Sequence, residues 1–135
     1  MKKQLLFLFT VILSVNCYSQ ISFEKGYFID NNGQKTECFI KNIDWKNNPT
    51  GFEYSLLEKT KQFNADIKSV KEFGIYNYSK YVRSNVNIDR SSSILNDLST
   101  VRNPIFKKEE LFLKILIEGQ SNLYEYEDGN LVRFF

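Results

Sequence analysis

The side chains that could do chemistry in this chain are its carboxylates, because histidine is absent from all 135 residues. Without histidine the chain lacks the commonest general base and the commonest zinc ligand, which excludes Ser-His-Asp catalysis, Cys-His catalysis and ordinary zinc sites. Two carboxylates roughly 5 to 10 Å apart would suffice for glycoside hydrolysis. The 16 acidic residues are scattered, however, and no pair is distinguished by its spacing. We therefore predict that the protein is not an enzyme, and keep carboxylate-based glycoside hydrolysis as the last of three alternatives.

Cofactor and metal sites are not indicated by the sequence either. The six glycines are dispersed, so no phosphate-binding loop is present. Two acidic segments, 30–33 and 125–129, resemble calcium loops, but neither has the glycine at position six and the glutamate at position twelve that such a loop needs. Both segments are typical of turns, and we predict no cofactor and no metal.

Trp45 is the clearest candidate for a binding residue. It is the single tryptophan and lies in a polar loop between Asp44 and Asn47. An indole next to carboxylate and amide groups can stack on a sugar ring or anchor a protein partner, so these three residues form a candidate ligand-binding set. The alternative is that Trp45 folds back to cap one end of a sheet. Three tyrosines are candidates either to extend the binding surface or to pack in the core: Tyr76, Tyr78 and Tyr81.

Cys38 has a similar pair of interpretations. In the segment 36–40 strand alternation places Thr36, Cys38 and Ile40 on one face, which predicts a small buried side chain. A reactive thiol or an intermolecular disulfide are the alternatives, and the chain offers no histidine to activate the thiol.

Short strands and turns must hold these residues in place. Past residue 20, runs of Phe, Tyr, Ile and Val alternate with Asn, Gly and Asp, a pattern typical of antiparallel sheet. Asn32-Gly33 predicts a hairpin turn between strands at 22–29 and 35–43, because both residue types tolerate positive φ. We predict further strands at 51–57, 71–78, 80–88, 110–118, 123–126 and 131–135.

Three segments have a less definite pattern. Residues 63–65 are a candidate short strand, and residues 66–70 are predicted as one helical turn. The polar, serine-rich segment 89–104 is predicted as a long loop or a short helix that ends at Pro104. Together the elements predict a mainly β fold, either an antiparallel sandwich or a partly open barrel of about seven or eight short strands with at most one short helix.

Residues 1–19 have the organisation of a secretory signal peptide. Lys2 and Lys3 precede an apolar run at 5–13, and small residues follow, so cleavage is predicted between Ser19 and Gln20. A lipid anchor on Cys17 is the alternative, although the residues before it match that pattern poorly. Removing the two lysines leaves equal numbers of basic and acidic side chains, which argues against nucleic acid as a partner.

The remainder, residues 20–135, has the size of a single domain and contains no predicted transmembrane span. Its last strand runs into Phe134-Phe135 without a polar cap. We expect that this strand either docks centrally in the sheet or is followed by more chain, so that the domain is the N-terminal part of a longer protein.

Several segments resemble a group of uncharacterised exported β-rich proteins of Gram-negative bacteria. The segments that carry the resemblance are 26–29, 33–36, 43–49, 116–119 and 123–126. The resemblance covers most of the chain after the signal peptide and implies that the chain is similar to the N-terminal part of those longer proteins. It implies no activity and no binding residue.

The sequence therefore predicts an exported module of the cell envelope with a structural or protein-interaction role. Its location would be the periplasm, the outer membrane surface or the medium, and its partner an unidentified protein or glycan of the envelope. A carbohydrate- or small-ligand-binding module that uses Trp45 is the second alternative.

Overall fold

The computed structural model describes residues 22–58, 60–92, 94, 96, 98, 100 and 102–135. The predicted signal peptide, its cleavage site at Ser19 and Gln20, and Cys17 lie outside these residues, as does part of the predicted helix in 89–104. Nine strands and no helix form in the described segments. The strands are β1 (Ser22–Asp30), β2 (Lys35–Asn42), β3 (Gly51–Ser55), β4 (Gln62–Asp66), β5 (Val70–Ile75), β6 (Ser79–Asp89), β7 (Phe106–Ile117), β8 (Leu123–Asp128) and β9 (Leu131–Phe134).

All nine strands belong to one antiparallel sheet in the order β4-β3-β2-β1-β5-β6-β7-β8-β9. The sheet is curled into a half-barrel, which confirms the prediction of a mainly β fold in its partly open form. The count exceeds the predicted seven or eight because the candidate strand at 63–65 is a full edge strand, β4. The last strand, β9, forms the opposite edge and is not central.

Local turn chemistry explains the hairpins. Asp30 Oδ1 accepts hydrogen bonds from the backbone N–H of Asn32 at 2.8 Å and of Gln34 at 2.9 Å, and Gly33 supplies the positive φ of 84°. The predicted helical turn at 66–70 is wrong. Ser69 N–H donates to Asp66 O at 3.1 Å and also bonds the Asp66 side chain, so this segment is the tight turn between β4 and β5.

Two hydrophobic clusters form the core, and β7 contributes to both. Leu111, Phe112 and Leu113 are consecutive and all buried, although neighbouring side chains of a strand point to opposite faces. Phe112 belongs to the first cluster, with Cys38, Ile40, Phe52, Val70, Phe73, Ile75 and Tyr81. Leu111 and Leu113 belong to the second cluster, with Ile88 and Tyr126. The sheet therefore buries one face, here called the first face, over β1–β7, and the other, the second face, over β6–β9.

Phe73 is the centre of the first cluster and is fully buried. Its ring centroid lies 4.2 Å from that of Phe52, 5.0 Å from that of Tyr81 and 5.0 Å from that of Phe112. Stacked and edge-on pairs of this kind add about 0.5–1.5 kcal/mol each to the free energy gained by burial alone. Aromatic packing thus fixes the curl of the sheet around β5.

No helix among the described residues is long and apolar enough to cross a membrane.

Candidate functional site

The segment between β2 and β3, residues 43–50, crosses the first cluster and is called here the crossing loop. It begins beside β2 and reaches β8, where Asn48 N–H donates a hydrogen bond to Glu127 O at 2.8 Å. β8 lies five strands away from β2 in the sheet order. The loop therefore ties the two ends of the sheet together.

Asn48 makes this connection by inserting its side-chain amide between β7 and β8. Its Nδ2 donates to Phe112 O and to Glu125 O, both at 2.8 Å, and its Oδ1 accepts from Glu127 N–H at 3.1 Å. Direct pairing of the two strands runs from Ile117 to Lys114. Beyond Lys114 the amide of Asn48 supplies the hydrogen bonds that a continued ladder would have supplied.

Trp45 packs on the first cluster from the middle of the crossing loop. Its ring meets those of Phe73 and Tyr81 nearly at right angles, with centroids 5.8 Å and 5.7 Å away. Burial raises the pKa of Tyr81 to about 12, so its hydroxyl stays protonated beneath the loop at neutral pH. The half-buried position of Trp45 fits the capping role that was the alternative to ligand binding.

Trp45 also lines a slot of about 340 Å³ where β2 and β3 separate. The two strands pair at Phe39 with Ser55 and at Ile40 with Tyr54. Further along, the gap is spanned by an ion pair between Lys41 Nζ and Glu53 Oε2 at 2.9 Å.

The other two predicted ligand-binding residues do not line this slot. Asp44 has a positive φ of 49° and accepts a hydrogen bond from Tyr78 OH at 2.6 Å, which raises the pKa of Tyr78. Asn47 Oδ1 accepts from Gly129 N–H at 2.9 Å, in the turn between β8 and β9. Asp44, Trp45 and Asn47 thus contact three different parts of the sheet.

Sequence reasoning missed Asn48, the residue of the crossing loop with the most connections. The available signal was a pair of asparagines before Pro49, which is buried although it lies in a polar loop. The sequence does not indicate the partners of Asn48, because they lie 64 to 79 residues further along the chain.

Cys38 is buried in the first cluster, as predicted from strand alternation. Burial raises the pKa of its thiol to about 12, so the reactive thiolate is not formed at neutral pH. Within the described part of the chain, no group of three or more Cys, Asp or Glu side chains is arranged to hold a metal ion.

The second feature is the edge strand β9, which the sequence analysis singled out for its apolar end and which the structure places at the edge of the sheet. Val132 and Phe134 lie opposite Glu127 and Glu125, and are 37% and 60% exposed. The N–H and C=O groups of Phe135 both bond Tyr124, each at 3.0 Å. Because hydrogen-bonded pairs alternate along an antiparallel ladder, the backbone groups of Val132 and Phe134 point away from β8, toward the open edge.

Comparison of the chain with family models, with curated proteins and with solved structures finds no match.

Proposed function

We propose that the chain is an exported module of the bacterial cell envelope that binds another polypeptide and has no chemistry of its own. Support for export comes from the organisation of residues 1–19. The observation that carries the interaction role is the β9 edge, whose outward backbone groups are accompanied by exposed apolar side chains. An edge of this kind is a template for an added strand.

The partner that fits this edge is an extended segment of another protein with apolar side chains at alternate positions. Those side chains would cover Val132 and Phe134 on the first face, while main-chain hydrogen bonds pair with the outward groups of the same residues. A second copy of the chain fits less well. Antiparallel pairing of β9 with itself in the register centred on Arg133 would set Arg133 against Arg133, and like charges directly opposite each other are destabilising.

The test is to block the edge without disturbing β8. Val132→Pro removes an outward N–H and so removes one hydrogen bond to an added strand while β8 pairing is kept. Asn64→Pro is the matched control at the other edge: Ile67 N–H bonds Thr50 O at 3.0 Å, so by alternation the N–H of Asn64 also points outward.

The probe is a spin-labelled hexapeptide of alternating valine and threonine, followed by NMR. We expect paramagnetic broadening of the β9 amides, abolished by Val132→Pro and kept in Asn64→Pro. Broadening at β4 instead of β9, or none at either edge, would overturn the proposal. A dimer detected by light scattering and lost in Val132→Pro would replace the foreign partner by a second copy.

A second candidate function, saccharide or small-ligand binding at Trp45, is favoured by the slot that this ring lines with Lys41 and Glu53. Intrinsic fluorescence tests it, because Trp45 is the single tryptophan. A red-shifted, quenchable emission that changes on addition of a glycan supports this function. A blue emission that neither glycan nor acrylamide alters contradicts it.

A further inference from the structure

Two carboxylates of β8 lie next to the open edge at β9. Glu127 is directly opposite Val132, and Glu125 is directly opposite Phe134. Residues that are opposite each other in a ladder share a face of the sheet, so both carboxylates are on the first face, one strand inward from the edge. The side chains of an added strand that cover Val132 and Phe134 would therefore lie in line with these two carboxylates.

The two carboxylates differ in what lies on their other side. Glu125 is opposite Lys114 of β7, so a cation neighbours it on the first face. Glu127 is opposite no residue of β7, because the amide of Asn48 takes that place in the ladder. Both glutamates are half-buried, and neither forms an ion pair with any described residue. Glu127 is thus the carboxylate that a partner has the most to gain by neutralising.

The ladder geometry sets how far a partner side chain must reach. Tyr124 and Phe135 exchange both backbone hydrogen bonds, so by alternation Glu127 and Val132 are a non-hydrogen-bonded pair. A residue of an added antiparallel strand opposite Val132 would form a hydrogen-bonded pair with it. The two Cα separations, about 4.5 Å and about 5.5 Å, together place that residue about 10 Å from the Cα of Glu127. Lysine and glutamate side chains extended toward each other can bridge this distance.

The same partner residue must also cover Val132, which is 37% exposed. A lysine or arginine does both, because its methylene stem packs on apolar surface while its charged end stays in water. Beside Phe134, which is 60% exposed, a cation has less to gain, since Lys114 already faces Glu125. An apolar side chain fits that position better.

We propose that the polypeptide bound at β9 carries a lysine or arginine opposite Val132, paired with Glu127, and an apolar residue opposite Phe134. This inference rests on the proposed binding of an extended segment at β9. It narrows the partner to a segment in which one of the side chains that cover the edge ends in a cation.

The test compares three spin-labelled hexapeptides by NMR titration of the full chain. The reference peptide alternates valine and threonine. The second carries lysine in place of the middle valine, and the third carries acetyl-lysine there, which keeps the stem and removes the charge. We expect all three to broaden the β9 amides, and the lysine peptide to bind about threefold more tightly than the acetyl-lysine peptide, the gain expected from a partly exposed ion pair. This advantage should shrink as the salt concentration is raised.

Two variants assign the advantage to one carboxylate. Glu127→Gln should remove the advantage of the lysine peptide and leave binding of the reference peptide unchanged, whereas Glu125→Gln, the matched control, should keep the advantage. The inference is overturned if the lysine and acetyl-lysine peptides bind equally, if the advantage survives Glu127→Gln, or if Glu125→Gln removes it equally. In those cases broadening by the reference peptide still supports β9 as the binding edge. No broadening by any of the three peptides would overturn the proposed function as well.

Discussion

The two edges of the sheet, β4 and β9, are built on opposite plans. In β4 the exposed residues Gln62, Asn64 and Asp66 are polar, and the sheltered residues Phe63 and Ala65 are apolar. In β9 the exposed residues are apolar, whereas its sheltered face carries an arginine. Natural sheets protect their edges with polar and charged side chains, and β4 follows that rule.

The difference follows from the way the sheet changes its buried face at β7. On the β4 side the first face is covered by the crossing loop and the second face meets solvent. On the β9 side the second face is buried. Arg133 lies on that face, and its guanidinium donates hydrogen bonds to Asp89 O at 2.9 Å and to Ser91 O at 2.8 Å. The first face of β9 is therefore outward, and its apolar residues there contribute nothing evident to the described core. An edge that departs from the protective rule without a gain in core packing is suited to binding.

The largest expected effect tests whether the two ends are separate cores. Phe73→Ala should lower the free energy of unfolding by about 4 kcal/mol and Leu113→Ala by about 3 kcal/mol, as expected for large cavities in buried clusters. Urea unfolding gives the magnitudes. In hydrogen-exchange measurements, Phe73→Ala should speed the exchange of amides in β1–β5, and Leu113→Ala should speed the exchange of amides in β7–β9. If both variants speed the exchange of the same amides, the two clusters form one cooperative unit and are not separate cores.

The next effect concerns the connection between the ends. Asn48→Ala removes three side-chain hydrogen bonds and leaves backbone groups of β7 and β8 without partners, so we expect a loss of about 2–3 kcal/mol. Asn47→Ala is the matched control: it removes a single bond to Gly129 and should cost about 1 kcal/mol. Exchange of the β8 and β9 amides should rise in the first variant alone. Equal losses for the two asparagines would show that the inserted amide is not what secures β8.

A smaller effect on stability, with a clear effect on solubility, is expected when an exposed apolar residue of β9 is replaced by a polar residue like those of β4. Phe134→Asn exchanges an exposed apolar side chain for a polar one, so the free energy of unfolding should change by less than about 0.5 kcal/mol. Association at high protein concentration should fall. The reverse change, Asn64→Phe, should raise association at β4. Sedimentation velocity measures both, and a large loss of stability in Phe134→Asn would mean that this ring packs on the core.

The smallest effect is the acid response of each end. Arg90 lowers the pKa of Glu109 beside the second cluster, and hydrogen bonds from Ser69 lower the pKa of Asp66 at the β4 edge. A carboxyl whose pKa is lower in the folded state contributes stability above its unfolded value, and this is lost as pH falls through the folded value. Glu109→Gln and Asp66→Asn should each flatten the acid limb of a stability curve recorded from pH 7 downward. An unchanged limb would assign acid sensitivity to other groups.

Local chemistry was sufficient to predict most of the strands. The hairpin at Asn32-Gly33 was predictable because the turn residues and the flanking alternation agree. β7 was predicted to start at residue 110 but begins at Phe106. The earlier start was missed because four charged residues follow Phe106 and hide the pairing with β6. The change of buried face was not predictable, since a run such as Leu111-Phe112-Leu113 indicates burial without indicating which end of the sheet covers each side.

The candidate site was predicted less well than the strands. Trp45 stood out by its type, and the structure brings it to a slot, but Asp44 and Asn47 contact other parts of the sheet. Asn48 could not be distinguished from its neighbours, because its partners are backbone atoms, which every sequence provides.

Because the partners of Asn48 are main-chain atoms, its contact limits sequence variation at some positions and not at others. The amide of Asn48 contacts Phe112, Glu125 and Glu127 through main-chain atoms alone, so substitutions at those three positions leave the contact intact. Position 48 itself has no such freedom: aspartate lacks the two donors, and glutamine carries the amide one carbon too far. Among descendants of this sequence, Glu125 and Glu127 should therefore be free to change as far as this contact is concerned, whereas Asn48 should remain fixed.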